Sequence, residues 1–185
     1  MSGRPLRRSW GWHRLADHVA QTLVERSAVG PGDIVLDLGA GDGVITHRLA
    51  ATGARVIAFE LHPDRAELLR RTCTGSNVKV VRADVRDLRL PTRPFGVVAN
   101  PPFDGISAIL VRLTSPGSRL ERADLVVPRS VASVWRRRLD RPEGRWAVST
   151  VTPLPRSAFR PRPRIDTCII TIVRRSPLRA RRPRR

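Results

Sequence analysis

A short apolar run that ends in a glycine-rich turn constrains the fold of this chain most strongly. Residues 34–38 (IVLDL) have the length and composition of a buried strand, and residues 39–43 (GAGDG) follow directly. Glycine permits a tight turn, and the helix predicted over 44–51 has free N–H groups at its start. The pattern predicts a strand, a turn and a helix that hold a nucleotide-type ligand. A tight turn also needs glycine without a ligand, so this run alone leaves both interpretations open.

Strands and helices continue to alternate along the chain. Further strands are predicted at 55–60, 78–81, 95–99 and 125–127, and helices at 63–71 and 106–113. An earlier helix is predicted from apolar residues at helical spacing, namely Leu15, Val19 and Leu23. Alternation of this kind indicates a doubly wound α/β fold with a mostly parallel sheet.

The two ends of the chain differ from this pattern. Residues 148–151 and 167–173 are β-rich with no helix between them, which indicates an antiparallel pair at the sheet edge. Residues 1–13 form a basic leader, and the arginine-rich tail at 174–185 is expected to be disordered. We therefore expect one folded domain over 14–173.

Two acidic residues come after the next strands. Glu60 closes the second strand, where a carboxylate can accept both ribose hydroxyls of an adenosine, and Asp84 follows the third, where it can accept from an adenine amine. Each alone can equally be a helix cap or a solvated charge. Because successive parallel strands end at one rim, the two together favour an adenosine cofactor. A dinucleotide dehydrogenase is the alternative, but its GxGxxG spacing differs from GAGDG.

The run Asn100-Pro101-Pro102-Phe103 follows the fourth strand directly. Its prolines fix a rigid loop and leave carbonyl oxygens free. An exocyclic amine is a poor nucleophile that needs positioning rather than a metal. The Asn100 side-chain oxygen and the Pro101 carbonyl can accept the two amine hydrogens while Phe103 stacks on a flipped base. The loop predicts methyl transfer from S-adenosylmethionine to the N6 amine of an adenine.

The charge of the chain indicates a polyanionic partner. The formal net charge is +19, and of the 35 basic residues only Lys79 is a lysine. Arginine binds phosphate bidentately and stacks on bases, which favours DNA or RNA. GC-rich codons also favour arginine over lysine, but codon bias alone does not leave acidic residues so outnumbered.

Several other classes of function receive no support. Cys73 and Cys168 match no CxxC or zinc pattern, so we expect reduced thiols and no metal. No apolar run has the length of a signal peptide or a membrane span. We expect a cytoplasmic monomer.

Together these residues resemble the ribosomal RNA adenine N6-methyltransferases, the family that contains the Erm macrolide-resistance methylases and the small-subunit adenine dimethylases. The segment 159–167 (FRPRPRIDT) is similar to the family's Phe-x-Pro-x-Pro-basic-Val-Asp-Ser stretch, and the resemblance covers roughly residues 9 to 173. The chain looks most like the short actinobacterial Erm proteins. The resemblance implies a seven-stranded, Rossmann-like class I methyltransferase fold. It also implies methylation of an adenine in 23S ribosomal RNA and macrolide-lincosamide-streptogramin resistance.

The candidate site residues follow from these motifs. The catalytic candidates are Asn100, Pro101 and Phe103. The S-adenosylmethionine-binding candidates are His13, Leu15, Gly39, Ala40, Gly41, Glu60, Leu61, Asp84, Val85 and Asn100. The RNA-binding candidates are Arg136, Arg137, Arg160, Arg162 and Arg164, with Arg7, Arg8, Arg138 and the tail as further arginines.

The chain departs from the family pattern at three places. The family's Gly-Gln-Asn-Phe-Leu motif reads Gly11-Trp12-His13-Arg14-Leu15, with His13 at the position of the asparagine. The fifth-strand motif, usually a glutamine before basic and acidic residues, reads VPRS over 127–130. The sequence shows no counterpart of the small helical C-terminal domain of longer relatives, so we expect RNA recognition to rely on the arginines of the catalytic domain and the tail.

Other functions remain as alternatives. A small-subunit adenine dimethylase would act on 16S RNA. DNA N6-adenine methylases and glutamine-amide methylases share the Asn-Pro-Pro-aromatic loop, but the former need a target-recognition region and the latter do not explain the charge. A non-catalytic RNA-binding relative is the contrasting class, which cofactor binding would distinguish.

Overall fold

The computed structural model describes residues 13–175, so the predictions for residues 1–12 and 176–185 lie outside the described range. The described strands are β1 (Arg14–Leu15), β2 (Ile34–Leu38), β3 (Arg55–Phe59), β4 (Val78–Val81), β5 (Phe95–Ala99), β6 (Leu120–Pro128), β7 (Trp146–Leu154), β8 (Phe159–Arg160) and β9 (Thr167–Arg174). The α-helices are α1 (Asp17–Ser27), α2 (Thr46–Ala51), α3 (Pro63–Thr72), α4 (Ile106–Leu113) and α5 (Arg129–Leu139). Within 13–175, no helix has both the length and the apolar character needed to cross a bilayer.

Seven of these strands form one mixed sheet in the order β4-β3-β2-β5-β6-β9-β7. The first five strands of that order are parallel, and β9 pairs antiparallel with both β6 and β7. Because β2 and β5 are neighbours although β3 and β4 come between them in the chain, the strand order reverses beside β2. Ligands bind at such a switch point in doubly wound sheets. The predicted fold, including the antiparallel C-terminal edge, is confirmed.

Core side chains cover both faces of the sheet, as a doubly wound fold requires. Alternate residues of a strand point to opposite faces, so Leu36 and Leu38 join one cluster with α4 and α5 while Val35 joins the other with α1. Each of these three side chains has no solvent exposure. Burial on both faces fixes the sheet, and the sheet in turn fixes the loops that leave its carboxyl edge.

Helix α5 is the largest element that the sequence interpretation missed. Its buried residues are Ala132, Trp135 and Leu139, which lie three and four apart as on one face of a helix. The arginines at its C-terminal end lie on the exposed side. The segment 127–130, interpreted only as an altered motif, spans the junction where β6 ends and α5 begins. Strand β6 is also longer than the predicted 125–127.

Two residues lie in other parts of the fold than predicted. Leu15 lies in β1 rather than in the first helix, because its backbone pairs antiparallel with that of Phe159 in β8. Strand β9 continues through Arg174, which was assigned to the disordered tail. The Arg174 guanidinium lies over the Trp146 ring at 4.8 Å and donates to the carbonyl oxygens of Leu120 and Ser118, so this residue is part of the folded domain.

Candidate active site

The glycine-rich loop of residues 39–43 packs directly against the Asn-Pro-Pro-Phe loop. Gly39 has a φ of +78°, and a Cβ built on it would lie 2.8 Å from Pro102 Cδ. A side chain here would meet the second motif as well as a strained backbone conformation. The N–H groups of Gly39 and Ala40 donate to the Phe59 carbonyl at 2.8 and 2.9 Å, which ties the loop to the end of β3. The two motifs therefore meet at the carboxyl edge of the sheet.

Glu60 links the end of β3 to this loop. Its side chain is buried, and Oε2 accepts from the Gly41 N–H at 2.8 Å. The other oxygen, Oε1, accepts from the His62 N–H at 2.7 Å and from Arg65 at 3.1 Å. A carboxylate has about four lone-pair sites, so Oε2 retains capacity for a ligand hydroxyl. The predicted ribose-binding role of Glu60 is compatible with this geometry and stays a proposal.

Asp84 lies at the end of the next strand and is held by Arg86. It caps a short 3-10 turn by accepting from the Arg86 N–H at 2.9 Å, and it forms an ion pair with the Arg86 guanidinium at 2.5 Å. Hydrogen bonding to Asp84 raises the pKa of Arg86. Val85, the first residue of this turn, is buried, and Leu61 is 38% exposed at the same edge. A hydrogen-bond acceptor and an exposed apolar side chain are suited to an adenine ring, so Asp84 and Leu61 remain cofactor-binding candidates.

Asn100 is the side chain best placed to accept from a substrate. Its Nδ2 donates to the His13 carbonyl at 2.7 Å, while its buried Oδ1 has no hydrogen-bond partner within residues 13–175. Pro101 is buried, and Phe103 is half-buried. The Phe103 ring stacks on the His13 ring with centroids 5.8 Å apart and an interplanar angle of 25°. The predicted loop residues are thus brought together with His13.

A third segment, residues 159–167, lies beside the glycine-rich loop and the Asn-Pro-Pro-Phe loop at the site. The sequence motifs did not predict this position. Strand β8 at its start pairs with β1, and the His13 Nδ1 lies 2.8 Å from the Pro161 carbonyl oxygen. The family-like stretch therefore contacts residues 13–15 directly. Its length and proline content gave no signal of this contact, since the pairing partner lies at the other end of the chain.

A cluster of four charged side chains also joins the site and was missed. Arg14 pairs with Asp17 at 2.8 Å and with Asp42 of the glycine-rich loop at 2.5 Å, and Arg48 of α2 pairs with Asp17 at 3.0 Å. Hydrogen bonds to Asp17 first, and then to Asp42, raise the pKa of Arg14. The cluster links β1 and α1 to the candidate cofactor loop. Only the acidic residue within GAGDG could have suggested it.

Acceptor atoms without partners concentrate at the same edge of the sheet. Asp37 Oδ1, Asp42 Oδ1 and Asn100 Oδ1 are buried and have no hydrogen-bond partner in the described part of the chain. Asp37 Oδ2 accepts from Thr46 Oγ1 at 2.6 Å. Burial, partly offset by the Thr46 bond, raises the pKa of Asp37 from 3.8 to about 7. A proton on Asp37 can satisfy that carboxyl, but the buried acceptors of Asp42 and Asn100 lack donors, which is costly, and a cationic cofactor with an amino group together with an amine substrate supplies donors. S-adenosylmethionine fits this set.

The candidate RNA-binding arginines lie in two exposed groups. Arg160, Arg162 and Arg164 are exposed on the segment that contacts His13. Arg136 and Arg137 are exposed on α5, where Arg136 lies 3.7 Å from Asp140. The first group is therefore attached to the wall of the candidate target site, whereas the second lies on a helix whose buried face packs in the core.

The sheet order, the glycine-rich loop and the Asn-Pro-Pro-Phe loop define a class I methyltransferase fold with a site suited to S-adenosylmethionine. Residues 4–181 match the family model described as ribosomal RNA adenine dimethylase. A small-subunit ribosomal RNA methyltransferase A from Moorella thermoacetica is 32% identical and covers 92% of this chain. An rRNA methyltransferase from Streptomyces thermotolerans is 33% identical and covers 91%. The chain therefore belongs to the ribosomal RNA adenine dimethylase family.

A solved structure supports the same assignment. The crystal structure of the 23S rRNA methyltransferase ErmE superimposes with a TM-score of 0.76 at 27% identity, covering 88% of this chain and 70% of that one. The chain spans 67% of the length of the Moorella relative and 59% of the Streptomyces relative.

Proposed function

We propose that the protein transfers a methyl group from S-adenosylmethionine to the N6 amine of an adenine in 23S ribosomal RNA. The observation that carries this proposal is the buried Asn100 Oδ1, an acceptor without a partner within 13–175, beside the half-buried Phe103 ring. Such a pair can bind an amine hydrogen and the face of the same base. The match to ErmE, a 23S rRNA methyltransferase, supports 23S RNA as the target. Resistance to macrolide, lincosamide and streptogramin antibiotics is part of the proposal.

The chain's own residues position the amine. Asn100 Oδ1 and the Pro101 carbonyl accept the two N6 hydrogens, which draws the nitrogen lone pair out of conjugation with the ring. Phe103 stacks on the flipped base and fixes its plane. When bound, S-adenosylmethionine supplies an electrophilic methyl group, and the proton lost from N6 passes to solvent. The cofactor is held by the glycine-rich loop, Glu60 and the edge that carries Asp84.

The strongly basic charge supplies the affinity for RNA. Arg160, Arg162 and Arg164 are attached to the segment that contacts His13, so they can bind phosphates on either side of a base that enters the Asn100 site. Arg136 and Arg137 of α5 extend the basic surface. Arginine suits this task because its planar guanidinium binds phosphate oxygens bidentately.

The second candidate is a small-subunit adenine dimethylase that acts on 16S RNA. The Moorella relative is named a ribosomal RNA small subunit methyltransferase A, which favours this candidate, and it matches this chain about as closely as the Streptomyces relative does. Both candidates use the same site and differ only in the RNA that delivers the adenine.

One experiment separates these candidates. Labelled methyl transfer is measured on protein-free 23S and 16S RNA in parallel, and primer extension locates the modified base. Label at one adenine of 23S RNA supports the proposal, and label in 16S RNA supports the second candidate. Binding of S-adenosylmethionine without label in either RNA would count against both and favour a non-catalytic RNA-binding protein. Asn100→Ala is the matched inactive variant, and it should abolish transfer while retaining cofactor binding.

A further inference from the structure

We propose that His13 is a positioning residue for the target base, acting through Asn100 and Phe103 rather than as a ligand of the cofactor. This inference rests on the proposed function, because it assigns His13 to the adenine side of the same site. His13 stands where the family motif has an asparagine, so its role is inferred from its own contacts in this structure.

The backbone of His13 determines which end of the Asn100 amide faces the substrate. Asn100 Nδ2 donates to the His13 carbonyl at 2.7 Å, so Oδ1 is directed the other way. A flipped amide would place Oδ1 against that carbonyl and present an N–H donor to the incoming amine. Two oxygens would then oppose each other, and two donors would do the same. The carbonyl of residue 13 therefore keeps Asn100 in the orientation that accepts an amine hydrogen.

The ring of His13 holds this carbonyl in place. Its Nδ1 lies 2.8 Å from the Pro161 carbonyl oxygen, which makes Nδ1 the protonated nitrogen that donates. The same ring stacks on Phe103, with centroids 5.8 Å apart. One face of Phe103 is therefore taken by His13, and a flipped base has the opposite face on which to stack. The ring connects the Asn-Pro-Pro-Phe loop to the segment that carries Arg160, Arg162 and Arg164.

The contacts of the neighbouring residue support this division of roles. Arg14, not His13, connects strand β1 to the glycine-rich loop through its ion pair with Asp42. The His13 ring has only Nε2 left for a further hydrogen bond, and its plane lies against Phe103. Residues 13 and 14 thus contact different loops. The His13 side chain contacts the Asn-Pro-Pro-Phe loop, and the Arg14 side chain contacts the glycine-rich loop.

Three replacements of His13 test the proposal on the full chain. His13→Ala removes the ring stack on Phe103 and the hydrogen bond to the Pro161 carbonyl. His13→Asn introduces the asparagine of the family motif, and His13→Phe keeps the ring stack without the hydrogen bond. The matched control is His18→Ala, since His18 is exposed on α1. For each variant, calorimetry gives the Kd for S-adenosylmethionine, and methyl transfer to 23S and 16S RNA gives kcat and KM.

The proposal expects the two measurements to separate. Cofactor Kd should stay within about twofold of wild type in all variants. Misplacement of the target amine should lower kcat by about 10- to 100-fold in His13→Ala and His13→Asn, and His13→Phe should recover part of that loss. A cofactor Kd that rises by the same factor as activity falls would overturn the proposal. Wild-type kcat in His13→Ala would overturn it too.

A spectroscopic measurement tests the same point without any RNA. Asn77, Asn100 and Gln21 carry the only side-chain carboxamides in the chain, so an Asn100→Ser and an Asn77→Ser variant assign the two asparagine signals in a ¹⁵N spectrum. His13→Ala should shift the Asn100 amide signal and speed its hydrogen exchange, while the Asn77 signal stays unchanged. An unaltered Asn100 signal would refute the proposal. If wild type labels neither RNA, the proposed function fails separately, and the amide signal still decides the role of His13.

Discussion

Replacement of Asp37 by asparagine should change how stability depends on pH. Asp37 is 1% exposed, and its Oδ1 has no hydrogen-bond partner within residues 13–175. Burial first, and the charge of Glu60 to a smaller extent, raise the pKa of Asp37 from 3.8 to about 7, against the lowering effect of the Thr46 bond. The folded protein therefore holds a proton on Asp37 at pH values where the unfolded chain has released it.

The sign and size of the effect follow from proton linkage. Between pH 3.8 and about 7 the folded state binds one more proton than the unfolded state, so the free energy of unfolding falls as pH rises. The slope is about 1.4 kcal/mol for each pH unit, which makes the full loss about 4 kcal/mol. The stabilisation is complete below the unfolded pKa and is lost by the time pH passes the folded pKa. The carboxamide introduced by Asp37→Asn cannot ionise, so the variant should lack this component.

Urea unfolding measures this pH dependence of the free energy of unfolding. It is followed from pH 5 to pH 8 by the fluorescence of the buried Trp135 and Trp146. As pH rises across this range, the free energy of unfolding of Asp37→Asn should increase relative to that of wild type by about 3 kcal/mol. The matched control is Asp64→Asn, because the Asp64 side chain is 90% exposed and its replacement should leave the profile parallel to wild type. Parallel profiles for wild type and Asp37→Asn would refute the reasoning, since the buried carboxyl would then titrate normally.

Three further changes give distinct outcomes. Gly39→Ala should lower stability by about 1 to 3 kcal/mol and reduce methyl transfer, because its Cβ meets Pro102 at 2.8 Å; thermal melting and an activity assay check this. Arg174→Ala should cost about 2 kcal/mol in urea unfolding, through loss of the Trp146 contact and two hydrogen bonds, and wild-type stability would contradict it. When alanine replaces Arg160, Arg162 and Arg164, the logarithm of the RNA-binding constant should fall less steeply with the logarithm of the salt concentration. The slope should decrease in magnitude by about 0.7 to 0.9 for each lost phosphate contact. The control Arg71→Ala, whose guanidinium pairs with Glu67, should keep the wild-type slope.

Local patterns were sufficient for most of the fold. The strand at 34–38, its glycine turn and the edge pair of β7 and β9 are all encoded by short runs of residues, and each was predicted. Helix α5 was not predicted although its buried residues have helical spacing, because Pro128 stands directly before it and a run of arginines interrupts the apolar spacing after Trp135. The signal was present in the spacing of Ala132, Trp135 and Leu139.

The candidate site was predicted only in part, for a different reason. The loops that carry Gly39 and Asn100 are recognisable motifs, and parallel strands bring them to one edge. The contacts of His13 with Pro161 and of Arg14 with Asp42 join segments far apart in the chain, and no local pattern encodes such pairs. They follow from the pairing of β1 with β8, two strands of two residues each, which are too short to be recognised from composition.

These long-range contacts connect the glycine-rich loop and the Asn-Pro-Pro-Phe loop to each other. Gly39 packs on Pro102, Asn100 is held by the backbone of residue 13, and the adjacent Arg14 pairs with Asp42 of the glycine-rich loop. A displacement of the glycine-rich loop would therefore reach Asn100, the proposed acceptor of the target amine, by two routes, one through the prolines and one through β1. Methyl transfer needs the donor and the amine aligned within a narrow range of distance and angle. In the proposed reaction, a site in which both loops move together would preserve that alignment, and Gly39 would then fix the geometry of the site in addition to its proposed contact with the cofactor.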